Sequence, residues 1–419
     1  MTCKDNTAQA NTFRDYDAKR DLPAVQRIWK ECGWVESDAE VAALADFLSG
    51  GDTIVATIDG EAECCAHSLP GKIRYLNESL NLGAVCAVTT SHISRKLGFA
   101  KKLTTNLLAL QAEQGMDVSA LGMFDQGFYD KVGFGTGSYE NWINFDPATL
   151  NVTYPFRPPK RLGVEDYKAV HGAMLSRASS HGNVFLESSS MMKAEMLWTE
   201  KPFGLGYYDG PDGSLSHFIW GEMKGEHGPY TITQRAYQTR DQLLELLSLV
   251  KSLGDQVHQI GTLEFGEIQI QDLLKQPFRT RRTTSKGQFE QSINATAYWQ
   301  LRILNLQSCL AKTHLNTPQI SFNLELNDPV VDLLDEGSNW RGLSGNYVIS
   351  LGAESSARMG NEGALRTLKA SVNAFSRMWF GVRPASSLAI TDDLQADEIL
   401  LKSLDESLRL PRPHLGRDL

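Results

Sequence analysis

The run Val88-Thr89-Thr90-Ser91-His92-Ile93-Ser94-Arg95-Lys96-Leu97-Gly98-Phe99-Ala100-Lys101 decides how this chain is read. Upstream, Ala84 to Val88 has the composition of a strand. Downstream, Ala100, Leu103, Leu107 and Leu110 recur at helical spacing, and Gly115 ends the run. Ser94 is the candidate N-cap of that helix. A strand that turns into a helix leaves backbone N–H groups without acceptors, and the helix dipole adds to their pull on an anion. Gly98, lacking a Cβ, lets an anion approach the backbone closely. Arg95 and Lys96 fall where the dipole disfavours cations unless an anion offsets them. The segment therefore predicts a site for a phosphate-bearing anion. The plainer alternative is an ordinary strand–loop–helix turn, because R-x-x-G-x-A (Arg95, Gly98, Ala100) is short enough to match by chance.

Strand and helix patterns alternate on both sides. Thr12-Phe13-Arg14 opens as a strand, and Asp21 precedes Leu22-Pro23-Ala24-Val25 as an N-cap with Pro23 in the first turn. Thr53 to Ile58 is a strand, Asp59-Gly60 a hairpin turn, and the next strand holds Cys64-Cys65-Ala66. Val118 to Met123 is a further strand, and Phe128 to Val132 a short helix closed by Gly133. Tyr154-Pro155-Phe156-Arg157-Pro158-Pro159 is a linker, since proline disfavours both helix and central strand.

Residues 160–285 form a second mixed region, with strands at Ser216–Glu222 and Tyr230–Gln234 and a helix at Gln242–Leu253. The basic run Phe278 to Thr284 ends it. Residues 290–419 hold strands at Ser321–Leu326, Tyr347–Leu351 and Leu368–Val372 and a helix from Ala396 to Leu408. Pro411, Pro413 and Gly416 then direct the tail away from that helix.

Composition narrows the function. At roughly 150 residues per domain, 419 residues suggest about three domains. A net charge of −9 argues against broad nucleic-acid binding; it suits a cationic partner, or simply a solvated acidic surface. No stretch approaches the ~20 apolar residues of a membrane span, and the first residues lack the apolar core of a signal peptide. The six cysteines form no C-x-x-C pair, and the nine histidines show no ligand spacing, so we expect reduced thiols, a cytoplasmic protein and no metal.

Strand, R-x-x-G-x-A, amphipathic helix, strand and then Phe128-Tyr129-Asp130-Lys131-Val132-Gly133-Phe134 together resemble the GNAT acyltransferase superfamily. Arg14 through Trp34 is similar to its opening strand and helix. The whole chain resembles the enhanced-intracellular-survival (Eis) type of aminoglycoside N-acetyltransferase. No second R-x-x-G-x-A occurs in 151–290, as in that family's degenerate second domain. Trp299 to Asn305 resembles its "W-x-R-x-x" start of the third domain, and Ser371 to Leu388 its sterol-carrier-like fold. The resemblance implies an α+β chain of two GNAT-like α/β domains, 1–150 and 151–288, followed by a sterol-carrier-protein-like α+β domain, 289–419.

It also implies roles. Acetyl-CoA is the cosubstrate. Val88, Thr89 and Thr90 pair by backbone with the pantetheine arm; Arg95, Lys96, Leu97, Gly98, Phe99, Ala100 and Lys101 form the pyrophosphate site; Phe124 and Asp125 line the cofactor. Tyr129 is the general acid for the departing thiolate, and the carboxylate of Leu419 the general base. Two positions depart from the family's pattern: its arginine-rich turn is Arg95-Lys96-Leu97 here, and its terminal aromatic is Leu419. A Tyr before a glycine-closed turn is otherwise a packed aromatic. Trp34, Glu36 and Asp38 are candidates for an amine pocket, with Asp418 adding charge; the plainer reading of the first three is a surface loop around one packed Trp. The implied acceptor is a cationic small-molecule amine such as an aminoglycoside or polyamine, and the implied assembly a homo-oligomer, a hexamer in the resembled enzymes. A catalytically inactive binding or scaffold protein and a lysine acetyltransferase acting on proteins are the alternatives.

Overall fold

A computed structural model describes residues 12–277 and 286–417, and three sheets carry the chain. In the first, β1 (Thr12–Asp15), β2 (Asp52–Ile58), β3 (Glu61–Tyr75) and β4 (Glu78–Thr90) run antiparallel. Asp59 (φ 51) and Gly60 (φ 87) make the expected two-residue turn between β2 and β3. β5 (Val118–Gly122) adds to β4 in parallel, which requires a crossover; α3 (Phe99–Glu113) supplies it. The strand Trp299–Ile303 then pairs antiparallel with β5, and β6 (Gly135–Thr136) pairs with that strand.

The first helix corrects one expectation. α1 (Ala18–Glu31) is capped by Asp17, which accepts from the N–H groups of Lys19 and Arg20, so Asp21 and Pro23 lie inside the helix. Asp21 faces inward because Arg14 on β1 binds it twice, at 2.6 and 2.9 Å. Burial would raise its pKa, but the Arg14 guanidinium and the Asp17 N–H outweigh burial and hold it at about 2. Tertiary partnership has overridden the local capping preference. α2 (Asp38–Leu48) starts with a full capping box from Ser37 and Glu40.

The second sheet has the order Ser292–Thr296, β7 (Glu140–Phe145), Ile260–Leu263, Tyr230–Ala236, His217–Met223, Pro202–Tyr207, Lys160–Arg161. The helix Arg240–Ser252 packs on it, near the position read from the sequence. The linker has no regular structure, yet Arg157 fastens it to Asp209 and Glu245. The basic run 278–284 lies outside the described residues.

The third sheet has the order Ser356–Met359, Gly345–Leu351, Ile320–Asn327, Thr367–Ser371, Leu394–Gln395. The helices Val372–Trp379, Ala385–Thr391 and Glu398–Ser407 accompany it. Four strands cross the expected boundaries: Val184–Leu186 pairs with β3 in the first sheet, Ser292–Thr296 pairs with β7 in the second, and two more change sheets. β7 precedes residue 150 but sits in the second sheet, and Trp299–Ile303 follows residue 289 but sits in the first. One apolar cluster accordingly runs from Val25 in α1 to Phe375, Trp379 and Leu415. Among the described residues no helix is long and apolar enough to cross a membrane.

Candidate active site

The cleft begins where two parallel strands part. β4 and β5 are paired from Leu82–Val118 to Val85–Leu121 and no further. β4 continues to Thr90, paired only with β3. The reason is a bulge: between Cys65 and His67 on β3 the register shifts, and the extra residue falls on β4, where Ala87 has φ 50. The bulge turns Val88–Thr90 away from β5 and leaves their free edge facing a cavity of about 670 Å³.

That cavity gathers most of the residues singled out in the sequence. Trp34, Val88, Thr89, Thr90, Arg95, Lys96, Gly98, Phe99, Ala100, Lys101 and Phe124 line it. Cys32, Ser94, Phe128 and Lys131 line it too. Of these four, Lys131 and Phe128 were legible only as part of the Phe128–Phe134 run, and Cys32 carried no signal. The lining holds four cations, Arg95, Lys96, Lys101 and Lys131, and no carboxylate. Leu97 is 53% exposed and does not contribute. Asp125 caps α4 (Gln126–Tyr129) instead, accepting from Gly127 N–H at 3.0 Å. Glu36 is exposed and outside the lining, with its N–H bonded to Glu40. Asp38 is the exposed first residue of α2.

The helix start differs from the expected one in a way that favours anion binding. Ser94 is not the N-cap; it ends a short 3-10 turn, and its buried hydroxyl donates to Glu63 O at 2.7 Å. The cap is Gly98, with φ 82 and no side chain to satisfy the N–H groups behind it. The N–H groups of Phe99, Ala100 and Lys101 therefore face the cavity without an intrahelical acceptor. Nothing lies within 4 Å of where a Gly98 Cβ would stand. Open N–H groups, dipole and cations fit a pyrophosphate, and the free β4 edge fits an extended arm carrying amides.

Tyr129 is not among the residues that line this cavity; its ring neighbours Phe124 and Phe128 are. It is buried among Phe124, Phe128 and Phe134, with ring centroids 5.9, 4.8 and 6.2 Å away. Its hydroxyl has no hydrogen-bond partner among the described residues. Burial pushes its pKa well above the ordinary value, helped by the nearby thiols of Cys86 and Cys64. Burial also pushes both thiols up, to about 12, so they stay protonated at neutral pH. The five described cysteines are all unbridged.

The tail approaches the same place. Leu415 is fully buried; its N–H donates to Glu140, and its carbonyl accepts from Val184 N–H at 3.0 Å. Arg417 pairs with Glu195, takes a 3.5 Å bond from the Tyr298 hydroxyl on its carbonyl, and lies close enough to Cys86 to affect it electrostatically. Asp418 and Leu419 lie outside the described residues. Trp34 is half exposed, edge-on to Trp29 at 5.2 Å. Away from the cleft, Asp209, His217 and Glu245 bring ligand atoms within 4.8 Å of one another, but Arg157 already binds both carboxylates.

Comparison with known proteins agrees with this geometry. Residues 14–137 match the model of the acetyltransferase (GNAT) domain. No curated protein sequence matches the chain. Among solved structures, a probable N-acyltransferase from Enterococcus faecalis V583 covers 98% of this chain and 100% of its own, at TM-score 0.79 and 16% identity. A GCN5-related N-acetyltransferase from Anabaena variabilis gives the same coverages, TM-score 0.77 and 16% identity. Eis1 from Mycobacterium abscessus also gives 98% and 100%, with TM-score 0.73 and 13% identity. At these identities the three are similar to this chain in fold. The chain thus carries a GNAT N-acetyltransferase domain, which implies acyl transfer from acetyl-CoA.

Proposed function

We propose, from the premise that residues 14–137 are an N-acetyltransferase domain, that the chain acetylates a small cationic amine of the kind the Eis-type enzymes take. The observation that carries the reading is the parting of β4 and β5 over a cavity with four cations and an open helix start. Val88, Thr89 and Thr90 would hold the pantetheine arm by backbone; Gly98 to Lys101, with Arg95 and Lys96, would hold the pyrophosphate. Acetyl-CoA, when bound, supplies an acetyl thioester.

Tyr129 is the general acid. Its hydroxyl is unengaged and remains protonated at neutral pH, ready to donate to a leaving thiolate. The base in this reading is the carboxylate of Leu419, carried over from the resembled enzymes. The path of Leu415 and Arg417 toward Cys86 supports it. The acceptor approaches past Trp34, whose exposed face suits a cation, with Glu36 and Asp418 as further candidates. The remaining parts of the proposal are the two-plus-one domain plan with a sterol-carrier-like third domain, cytoplasmic residence, and a homo-oligomer, hexameric as in the resembled enzymes.

The test is acetyl-CoA-dependent thiol release across polyamines, aminoglycosides and lysine peptides. We expect turnover with small amines. Adding an affinity tag after Leu419 should abolish turnover and leave acetyl-CoA binding intact. No turnover with any amine by the untagged chain would favour a binding protein. Full activity of the tagged chain would remove Leu419 from the mechanism.

A further inference from the structure

The turn that carries Tyr129 is held by side chains from the far end of the chain. It runs from Gln126 through a 3-10 segment to Val132 and is closed by Gly133 at φ 87. By itself it is four residues of helix and one tight turn, too short to fix a side chain. Three residues of the C-terminal third reach into it. Arg302 donates from Nη1 to Val132 O at 2.5 Å. Gln300 donates from Nε2 to Asp130 Oδ1 at 2.6 Å. Asn373 spends both amide hydrogens on the turn, donating to Asp130 O at 2.9 Å and to Phe134 O at 2.7 Å.

Each of the three is itself fixed. Arg302 and Asp328 form an ion pair of 2.6 Å with neither side chain exposed, and Arg302 stacks over Trp340 at 5.3 Å. Gln300 and Arg302 lie on the strand inserted between β5 and β6. Asn373 is the second residue of the helix Val372–Trp379, whose Ser376 accepts from Ile303 N–H of that same strand at 3.0 Å. The turn leaves no slack against them. A Cβ on Gly133 would stand 2.5 Å from Arg302 Nη1, and one on Gly135 2.5 Å from Asn373 O.

We infer that Arg302, Gln300 and Asn373 are positioning residues that set the acid for transfer, so that the C-terminal third is a working part of the catalytic centre. The inference rests on the proposed role of Tyr129. Without these bonds the turn keeps its residues but loses its fixed place, and the phenol it carries loses its fixed place with it. Misplacement by about 1 Å is enough to cost roughly a hundredfold in rate.

The test is a double-mutant cycle on turnover, made in the full chain. Asn373 borders a polar cavity of about 530 Å³, so Asn373→Ala leaves room for water and should fold. We expect Asn373→Ala to lower kcat at least tenfold, with the KM for acetyl-CoA within about twofold of wild type. Asn373→Asp keeps the shape but turns a carboxylate oxygen toward two carbonyls, so it should lose more; a merely space-filling Asn373 would make Asp the milder change. Arg302→Lys should behave as Asn373→Ala does. Above all, the loss should vanish when Tyr129 is already Phe, because the residue acts through the phenol. Wild-type turnover in Asn373→Ala, a milder loss in Asn373→Asp than in Asn373→Ala, or losses that multiply with Tyr129→Phe overturn the positioning role and leave the acid in place. A Tyr129→Phe enzyme with normal turnover removes the acid, and the positioning role with it.

Discussion

At the scale of the residue, Tyr129 shows how one environment serves two ends. Three aromatic rings pack on it, and burial makes its anion expensive. Packed ring and acid were both readings of the sequence; in the structure the ring is packed, and the hydroxyl that the proposed acid role needs has no partner among the described residues. A pH prediction follows from the direction of the shift. A phenol whose pKa is raised above its ordinary value of about 10 keeps its proton up to and beyond that pH. Any alkaline fall in kcat below about pH 9 must therefore come from another group. Tyr129→Phe should lower kcat by about a hundredfold between pH 6 and 9 without altering the shape of the profile. Turnover measured across that range, with chemistry limiting, checks this; an alkaline limb that disappears in the Phe enzyme contradicts it.

At the scale of the element, the start of α3 carries the most weight. Its cap is a glycine in the left-handed region, so the bare N–H groups behind it remain available. A Cβ would meet no protein atom there, which makes Gly98→Glu a clean test. The substituted chain bears a modest strain, about 1–2 kcal/mol, for a non-glycine residue at positive φ. Acetyl-CoA binding should weaken far more, by at least about a hundredfold, because a carboxylate would face the pyrophosphate. Calorimetric titration of the folded variant measures it, and unchanged affinity would place the cofactor elsewhere. The same element marks a limit of sequence reading. The motif, strand and helix were legible because they are local, but Ser94 looked like the cap and proved to brace Glu63 O instead. A serine hydroxyl takes whichever partner the fold brings near, and that partner lies 31 residues away.

At the scale of the whole molecule, the domain that matches the acetyltransferase model is not closed by its own strands. Between β5 and β6 stands Trp299–Ile303, from the last third of the chain. Residues 1–150 expressed alone would leave the outer edge of β5 unpaired and lose the partners of Val132 and Asp130. We expect that fragment to aggregate or to unfold without a cooperative transition, whereas the full chain unfolds cooperatively. Thermal melts followed by circular dichroism compare the two. A soluble fragment with a sharp transition would show that the inserted strand is dispensable. The boundaries at 150 and 288 were drawn from proline and composition, which report where chain is irregular and not which sheet a strand enters.

Sequence alone determined what depends on neighbours in the chain: the β2–β3 turn, the strand and helix on either side of the glycine motif, and the cations gathered at the start of that helix. Spacing, glycine and charge act there over a few residues, and the linear order already contains them. Tertiary structure alone decided what holds Tyr129 in place and where the tail goes. Arg302 and Val132 are 170 positions apart, and Asn373 and Asp130 are 243 apart. No periodicity links such residues; they meet because one apolar core draws strands from both ends of the chain into a single sheet, and buried polar groups must then find partners there.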